Sequence, residues 1–305
     1  MKKIIRWHKW KFSSLSLNFY SSFDRMEFAK WILIVLCGLI FGSFGSVILF
    51  RLWKWLTWEK IKWFLVWRSE CPHCHHVLSM KNLVPLLSFI FQKGKCSYCH
   101  QKISWVYPCL EWGTVLIFLL TFFLSPSWFE HLGLTFLLAL FFWLCFLVAV
   151  YDFLYYELHL VASIWAFLLA LLFAVVSHSD MIEFLFGIGI FFCMFLGIYF
   201  FGQVFYYCKY HERKEAFWFW DVLFSLNVGA IVPLFVSCSW GMQWMYLLLL
   251  FIISCCLLGL FLYTLQVFVQ KKEKKAWVMI PFIPSMVVTL MIFVFFWAKI
   301  LSFFY

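Results

Sequence analysis

Two pairs of cysteines have the type and spacing that can do chemistry, "CPHC" at 71–74 and "CSYC" at 96–99. Two residues between thiolates allow a tight turn that presents both sulfurs to one metal ion. Two such turns complete a tetrahedral site, so the spacing predicts structural zinc, and the alternatives are redox chemistry or unmetallated thiols. The four predicted ligands are Cys71, Cys74, Cys96 and Cys99.

Four histidines surround these cysteines and could substitute as ligands. They are His73, His75, His76 and His100. Because four thiolates already saturate zinc, we expect the histidines to be solvent-exposed loop residues. A closed site with four sulfur ligands has no open coordination position, so we expect it to organise the loop rather than to hydrolyse a substrate.

Two aspartates stand at the edges of apolar stretches. Asp152 follows "FFWLCFLVAVY", and Asp221 opens a later stretch, directly after Trp220. An ionisable residue at membrane depth is costly and usually faces protein or a water-filled cavity. Two carboxyls that lie close together share a proton, which is the chemistry of an aspartyl protease. The alternative is that each aspartate marks a helix end, where a helix dipole favours a carboxylate in the first turn.

The composition indicates an all-α polytopic membrane protein. Of 305 residues, 66% are hydrophobic, 24% are aromatic and only 12% are charged, and the mean hydropathy is +0.94. Several apolar runs exceed the length that a helix needs to cross a bilayer. The sequence predicts about eight transmembrane helices, at 31–50, 109–125, 132–151, 158–177, 183–206, 217–237, 242–268 and 277–302.

The basic residues lie on one side of this predicted topology. Nine of the 24 Lys and Arg lie in the loop 51–108, three in 209–214 and four in 270–276. The alternate connections contain none. By the positive-inside rule, the large cysteine-bearing loop is cytoplasmic and reducing, so disulfides are disfavoured. Both aspartates then lie at the cytoplasmic edge of the membrane.

The predicted domain organisation has four parts. Residues 1–30 form an extension with seven basic residues, whose predicted outward placement conflicts with its charge. Either the extension is an interfacial helix that tolerates the outer face, or translation starts at Met26, which is the hypothesis that we prefer. The first transmembrane helix is 31–50, the zinc-ribbon-like loop is 51–108, and a seven-helix membrane domain at 109–305 carries the aspartyl site. The net charge of +10 serves topology and contact with anionic lipids, and we expect no nucleic-acid partner.

The order of these features resembles the type IV prepilin leader peptidases, which are aspartyl membrane proteases of the GxGD type. "GSFGSVILFRL" at 42–52 is similar to the family's G-S-F-x-N-V-x-x-x-R-L, with Ser46 in place of asparagine. Residues 68–111 resemble the family's cytoplasmic loop almost throughout, including both cysteine pairs, the L-V-P-L-L-S between them, and the I-S-W-x-Y-P-x-x-E that ends at Glu111.

The two aspartate segments match the family less completely. "VAVYDFLYYELHL" at 148–160 places Asp152 on the first catalytic aspartate, but His159 and Leu160 replace a proline and a second aspartate. "AFWFWDVLFSLNVGA" at 216–230 places Asp221 on the second catalytic aspartate. There the family's two glycines and lysine are replaced by Trp218, Trp220 and Leu223.

The resemblance implies a multi-pass enzyme of a bacterial cytoplasmic membrane, with its active site near the cytoplasmic face. It would cleave the basic leader from type IV prepilins or from competence or secretion pseudopilins. In many family members it also methylates the new N-terminus with S-adenosylmethionine. The alternatives are an inactive assembly factor that docks pilus or secretion components, a methyltransferase without protease activity, and a transporter, for which broken spans are missing.

Overall fold

The computed structural model of the chain describes residues 25–52, 68–124, 132–210, 219–235, 242–270 and 282–304. Within them the chain is mostly helical. The helices are α1 (Arg25–Val47), α2 (Leu87–Phe91), α3 (Val106–Leu124), α4 (Leu132–Tyr155), α5 (Leu160–Val176), α6 (Met181–Tyr210), α7 (Phe219–Phe235), α8 (Met242–Gln270) and α9 (Ile283–Phe304). A π-helical turn, Ile48–Leu52, follows α1, and a 3₁₀ turn, Met80–Leu83, precedes α2.

Each of the eight predicted spans overlaps one of these helices, which confirms an all-α chain over the described residues. Four helical segments are long and apolar enough to cross a membrane, Lys30–Phe50, Val106–Phe123, Leu132–Tyr155 and Met181–Phe205. Apolar segments of 10–17 residues, counted over the described residues alone, lie in α5, α7, α8 and α9. The described helices therefore indicate a multi-pass membrane protein, and the count of eight spans stays a prediction.

The chain divides into two compact units. The first contains α1 up to Phe44, the cysteine-bearing segment from Arg68 onward, and α3. The second contains the end of α1 from Gly45 and the helices between Phe136 and Trp297. The predicted boundaries at 30, 50 and 108 stay predictions, and residues 1–24 of the predicted extension lie outside the described residues.

Within the first unit, α1 packs closely against α3. A Cβ added at Gly38 would lie 2.8 Å from the Val115 Cα, and one added at Gly42 would lie 2.7 Å from the Glu111 Cα. The rings of Phe41 and Phe118 also stack, with centroids 5.5 Å apart. Small residues let helix backbones approach within lipid, where burying apolar surface provides little driving force. The two glycines therefore determine how close α1 and α3 can come.

Within the second unit, α7 is the most enclosed helix. Eleven of its residues between Asp221 and Pro233 are buried, and it packs against α5 and α6. A Cβ added at Gly229 would lie 2.6 Å from the carbonyl oxygen of Gly187 on α6. On the α5 side, the Asn227 amide donates a hydrogen bond of 2.8 Å to the Ser163 hydroxyl. The helix that begins with Asp221 is thus held from two sides.

Candidate metal centre and candidate active site

The four predicted cysteines come together in the structure. Their Sγ atoms all lie within 4.8 Å of one another, and the Sγ atoms of Cys71 and Cys99 are 3.8 Å apart. Tetrahedral Zn–S bonds of about 2.3 Å require sulfur atoms about 3.8 Å from one another. The cluster therefore fits a metal ion such as zinc, and these thiols are not joined as disulfides.

The two cysteine turns have the same local geometry. The Cys71 amide bonds to the His76 carbonyl at 3.0 Å, and the Cys96 amide bonds to the Gln101 carbonyl at 2.9 Å, so both bonds span five residues. Antiparallel bridges close both turns at matching positions, Glu70 with Val77 and Lys95 with Lys102. Each C-x-x-C-H segment thus folds as one unit, which is why the spacing alone predicted the cluster.

The histidines have structural positions in these turns. His75 and His100 follow the second cysteine of each turn and adopt left-handed backbone conformations, with φ of 54° and 59°. The four neighbouring histidines are all exposed, as predicted. The His76 ring lies against the Tyr98 ring, with centroids 3.6 Å apart, and so joins the two turns.

Backbone groups prepare one of the sulfurs for a metal. The N–H groups of Cys99 and Tyr98 hydrogen-bond to the Cys96 sulfur and lower the pKa of its thiol to about 7. Such bonds stabilise the thiolate, which is the form that binds a metal. The turn that presents Cys96 therefore also favours its ionised state near neutral pH.

Glu111 is a site residue whose role the sequence reasoning missed. Its Oε2 accepts a hydrogen bond of 2.7 Å from the Leu86 amide, which joins α3 to the segment between the cysteine pairs. Leu86 has a φ of 58°, a conformation that costs energy for a residue with a Cβ. The signal was present in the family-like I-S-W-x-Y-P-x-x-E, but only the fold shows that this carboxylate holds the loop.

Asp152 lies in the last turn of α4 and is only 6% exposed. The backbone N–H of Ile283 donates a hydrogen bond of 3.3 Å to its Oδ2. Ile283 is the first residue of α9, where unpaired amides and the helix dipole favour an anion. The carboxylate of Asp152 is thus enclosed by protein and joined to the start of another helix.

Asp221 lies in the first turn of α7 and is 4% exposed. Trp220 directly before it is already helical, and it is not among the described residues with positive φ. The conformational freedom that glycine would supply is therefore not needed at this position. Trp218 lies outside the described residues.

Two contacts between α5 and α7 show which end of the second unit holds Asp221. Ser163 contacts Asn227, and the ring of Phe173 stacks on that of Phe235 at 5.6 Å, so the two helices run parallel. Asp221 lies six residues before Asn227, and the residue six before Ser163 is residue 157. Asp221 is therefore level with residues 157–159, which connect α4 to α5. Asp152 and Asp221 therefore lie toward the same end of this unit.

Ring contacts of α6 place it near the same end of the second unit. The Tyr199 ring is 5.8 Å from the Phe219 ring, two residues before Asp221. One turn earlier, Phe195 is 6.3 Å from Phe282, which adjoins the amide bonded to Asp152. Residues 195–199, in the middle of α6, thus lie near the segments that carry both aspartates.

His159 replaces the proline of the family pattern and is fully buried. Its Nδ1 accepts a hydrogen bond of 3.2 Å from the Ala162 amide and so caps the start of α5. The edge of its ring meets Tyr151, with centroids 5.1 Å apart. The substitution therefore has a structural role, because a side-chain cap satisfies an amide at the start of a helix.

A comparison with known families shows which part of the chain resembles a known domain. Residues 36–125 match the family model of the "Bacterial Peptidase A24 N-terminal domain". This part of the chain is similar to the A24 peptidase N-terminal domain. It contains all four clustered cysteines, Glu111 and the glycines of α1 that contact α3. The resemblance predicted from the motifs is therefore confirmed over residues 36–125.

Curated relatives of the chain carry the name prepilin leader peptidase/N-methyltransferase. The protein of Dickeya chrysanthemi is 36% identical over 122 residues, covering 34% of this chain and 42% of the relative. That of Vibrio cholerae is 36% identical over 118 residues, covering 37% and 47%. That of Bacillus subtilis is 38% identical over 86 residues, covering 28% and 32%. The chain thus spans less than half the length of these relatives, and no solved structure matches it.

The A24 N-terminal domain does not include the two aspartates. Asp152 and Asp221 both follow residue 125, where the family model ends. Their role therefore rests on their burial, their position and the local resemblance of the sequence around them.

Proposed function

We propose that the chain is a membrane aspartyl endopeptidase that removes the basic leader from type IV prepilins or pseudopilins. The observation that carries this proposal is the pair of buried aspartates toward one end of a single helical unit. Carboxyls buried at membrane depth are costly and mark functional sites. The A24 domain and the names of the relatives support the same activity.

Asp152 and Asp221 would divide the acid–base work between them. The ionised carboxyl of the pair takes a proton from water as the water oxygen attacks the peptide carbonyl. The protonated carboxyl of the pair hydrogen-bonds to the carbonyl oxygen and stabilises the tetrahedral intermediate. When the C–N bond breaks, the leaving nitrogen takes up a proton, and the pair returns to sharing one proton. The pair titrates as a unit rather than as two separate acids.

The proposed topology places this chemistry at the cytoplasmic face of a bacterial inner membrane. It uses eight spans, in which α5, α7, α8 and α9 cross together with α1, α3, α4 and α6. The positive-inside rule assigns the cysteine-bearing segment to the cytoplasm, and an even number of crossings separates Asp152 from Asp221. A basic leader would stay on that side, within reach of both carboxyls.

Zinc is the metal that we propose for the cysteine cluster, with a structural role. Four thiolate ligands close the coordination sphere and stabilise the fold of the segment around it. Methylation of the new N-terminus with S-adenosylmethionine is a proposed second activity, supported by the names of the relatives. The residues that would bind the methyl donor are not assigned.

The proposal is tested with the full chain purified into nanodiscs and a synthetic prepilin peptide that carries a basic leader ending in glycine. We expect mass spectrometry to show cleavage after that glycine without added cofactor. Added S-adenosylmethionine should then increase the mass of the product by one methyl group. An intact peptide, together with normal pilus assembly when both aspartates are replaced, would instead support a non-catalytic assembly factor.

A further inference from the structure

The short helix α2 exposes three large apolar side chains on one face. Leu87, Ile90 and Phe91 are 52%, 63% and 79% exposed. They have the i, i+3, i+4 spacing that places side chains on the same side of a helix. Phe89 points elsewhere, since its ring contacts Trp105 at a centroid distance of 4.9 Å. An exposed apolar face of this kind marks a contact with a membrane or a partner.

A hydrogen bond places this face beside a membrane-spanning helix. The residue before α2, Leu86, donates its amide proton to Glu111 of α3. Glu111 lies five residues after Val106, about 7.5 Å along the axis of α3. Because α3 is one of the four segments long enough to cross a membrane, α2 begins beside the end of a span. Trp105, 73% exposed, stands at the same end, where tryptophan favours the membrane interface.

The charge of the segment around α2 fits an anionic surface. Between Arg68 and Trp105 there are five basic residues and one acidic residue, Glu70. Lys93 and Lys95 follow α2 directly and are exposed. Basic side chains next to an inserted apolar face are the pattern of interfacial anchors on anionic lipids. The basic leader of a prepilin would be repelled here, which disfavours that substrate as the occupant.

We propose that α2 is an interfacial anchor for the metal-binding segment. Leu87, Ile90 and Phe91 lie in the headgroup–acyl boundary of the bilayer that α3 crosses, and Lys93 and Lys95 contact anionic headgroups. Together with the bond between Glu111 and Leu86, this contact holds the cysteine cluster at the membrane surface. The anchor does not depend on peptidase activity, so failure of either proposal leaves the other standing.

The test places a fluorescent amino acid at position 91 of the full chain in nanodiscs. The discs contain phosphatidylcholine with or without phosphatidylglycerol, and a fraction of lipids with a nitroxide near the headgroup. The matched control carries the same fluorophore at Gln101, an exposed position on the second cysteine turn. We expect quenching at position 91 to exceed quenching at position 101 by at least about twofold. Zinc content, measured on each sample, reports whether the segment is folded.

A charge-reversal variant tests the lipid preference. Lys93→Glu together with Lys95→Glu should reduce quenching at position 91 in discs with phosphatidylglycerol and leave it unchanged in phosphatidylcholine alone. Equal quenching at positions 91 and 101 in zinc-loaded protein would overturn the anchor. Fluorescence at position 91 that responds only to an added prepilin peptide would assign the face to a protein and overturn it as well. Insensitivity to both lipid charge and lysine charge would overturn the assignment of the two lysines to anionic headgroups.

Discussion

The cysteine cluster and the aspartate pair differ in how much chain each needs to form. All four cysteines lie within 29 residues of one another, and each pair belongs to a turn closed by its own backbone hydrogen bonds. The aspartates lie 69 residues apart on helices α4 and α7, and their setting is built by α5, α6 and α9. The first site is made by local geometry and the second by helix packing. Changes at one site should therefore leave the other site measurably intact.

The largest effect is expected from removal of either carboxylate. Asp152→Ala and Asp221→Ala should each lower the rate of prepilin cleavage by about 10⁴-fold or more, because acid and base act as a unit. Initial rates in nanodiscs measure this, and Glu157→Gln, an exposed position after α4, is the matched control. Zinc content should be unchanged in all three variants. Cleavage within tenfold of the parent rate would remove Asp152 or Asp221 from the mechanism.

Loss of a cysteine ligand should have the next largest effect. It should weaken zinc binding rather than change the aspartate site. Cys96→Ser should weaken zinc binding by about a thousandfold, since a structural site loses one of four ligands. Elemental analysis after dialysis against a chelator measures the retained zinc. The control is Cys109→Ser, an exposed cysteine outside the cluster, which should retain the parent content. Retention of zinc by both variants would contradict the assignment of ligands.

A glycine contact tests the packing on which only the aspartate region depends. Gly229→Ala should lower the free energy of unfolding of the second unit by about 1–3 kcal/mol, because the new methyl meets the α6 backbone. Thermal unfolding in detergent measures the change. Gly189→Ala is the control, since a Cβ there meets nothing within 4 Å. Equal melting temperatures for the two variants would show that the backbones of α6 and α7 are farther apart at Gly229 than the structure indicates.

The smallest expected effect is a gain in stability when Leu86 is replaced. Leu86→Gly should stabilise the segment between the cysteine pairs by about 1 kcal/mol, because glycine adopts positive φ without a Cβ clash. Hydrogen exchange of residues 80–95 measures this stability. Glu111→Leu should act in the opposite direction, because the Leu86 amide loses its acceptor. Faster exchange in Leu86→Gly would show that the leucine side chain contributes more than its strain costs.

Much of the fold and of the metal centre could be predicted from the sequence. Apolar runs predicted the helices, because a helix that crosses lipid must satisfy its backbone internally. The two C-x-x-C pairs predicted the cluster, because each turn is closed within a few residues. The basic residues predicted a topology, and the resemblance to a peptidase family was confirmed over residues 36–125.

The roles of Glu111, His159 and Trp220 could not be predicted, because each depends on neighbours distant in sequence or on local helix geometry. Glu111 finds its partner 25 residues earlier, and His159 becomes a helix cap. Trp220 replaces a glycine of the family pattern, and the structure shows that α7 has already begun there.

By itself, the sequence determined which residues can do chemistry: four thiols at metal spacing and two carboxyls at the edges of apolar helices. Only the tertiary structure decided where the carboxyls lie. The parallel register of α5 and α7 and the bond from Ile283 to Asp152 place both toward one end of the second unit. The physical reason is the sequence separation between the residues in contact. A cysteine turn is closed by bonds within six residues, whereas helix packing depends on contacts between distant parts of the chain.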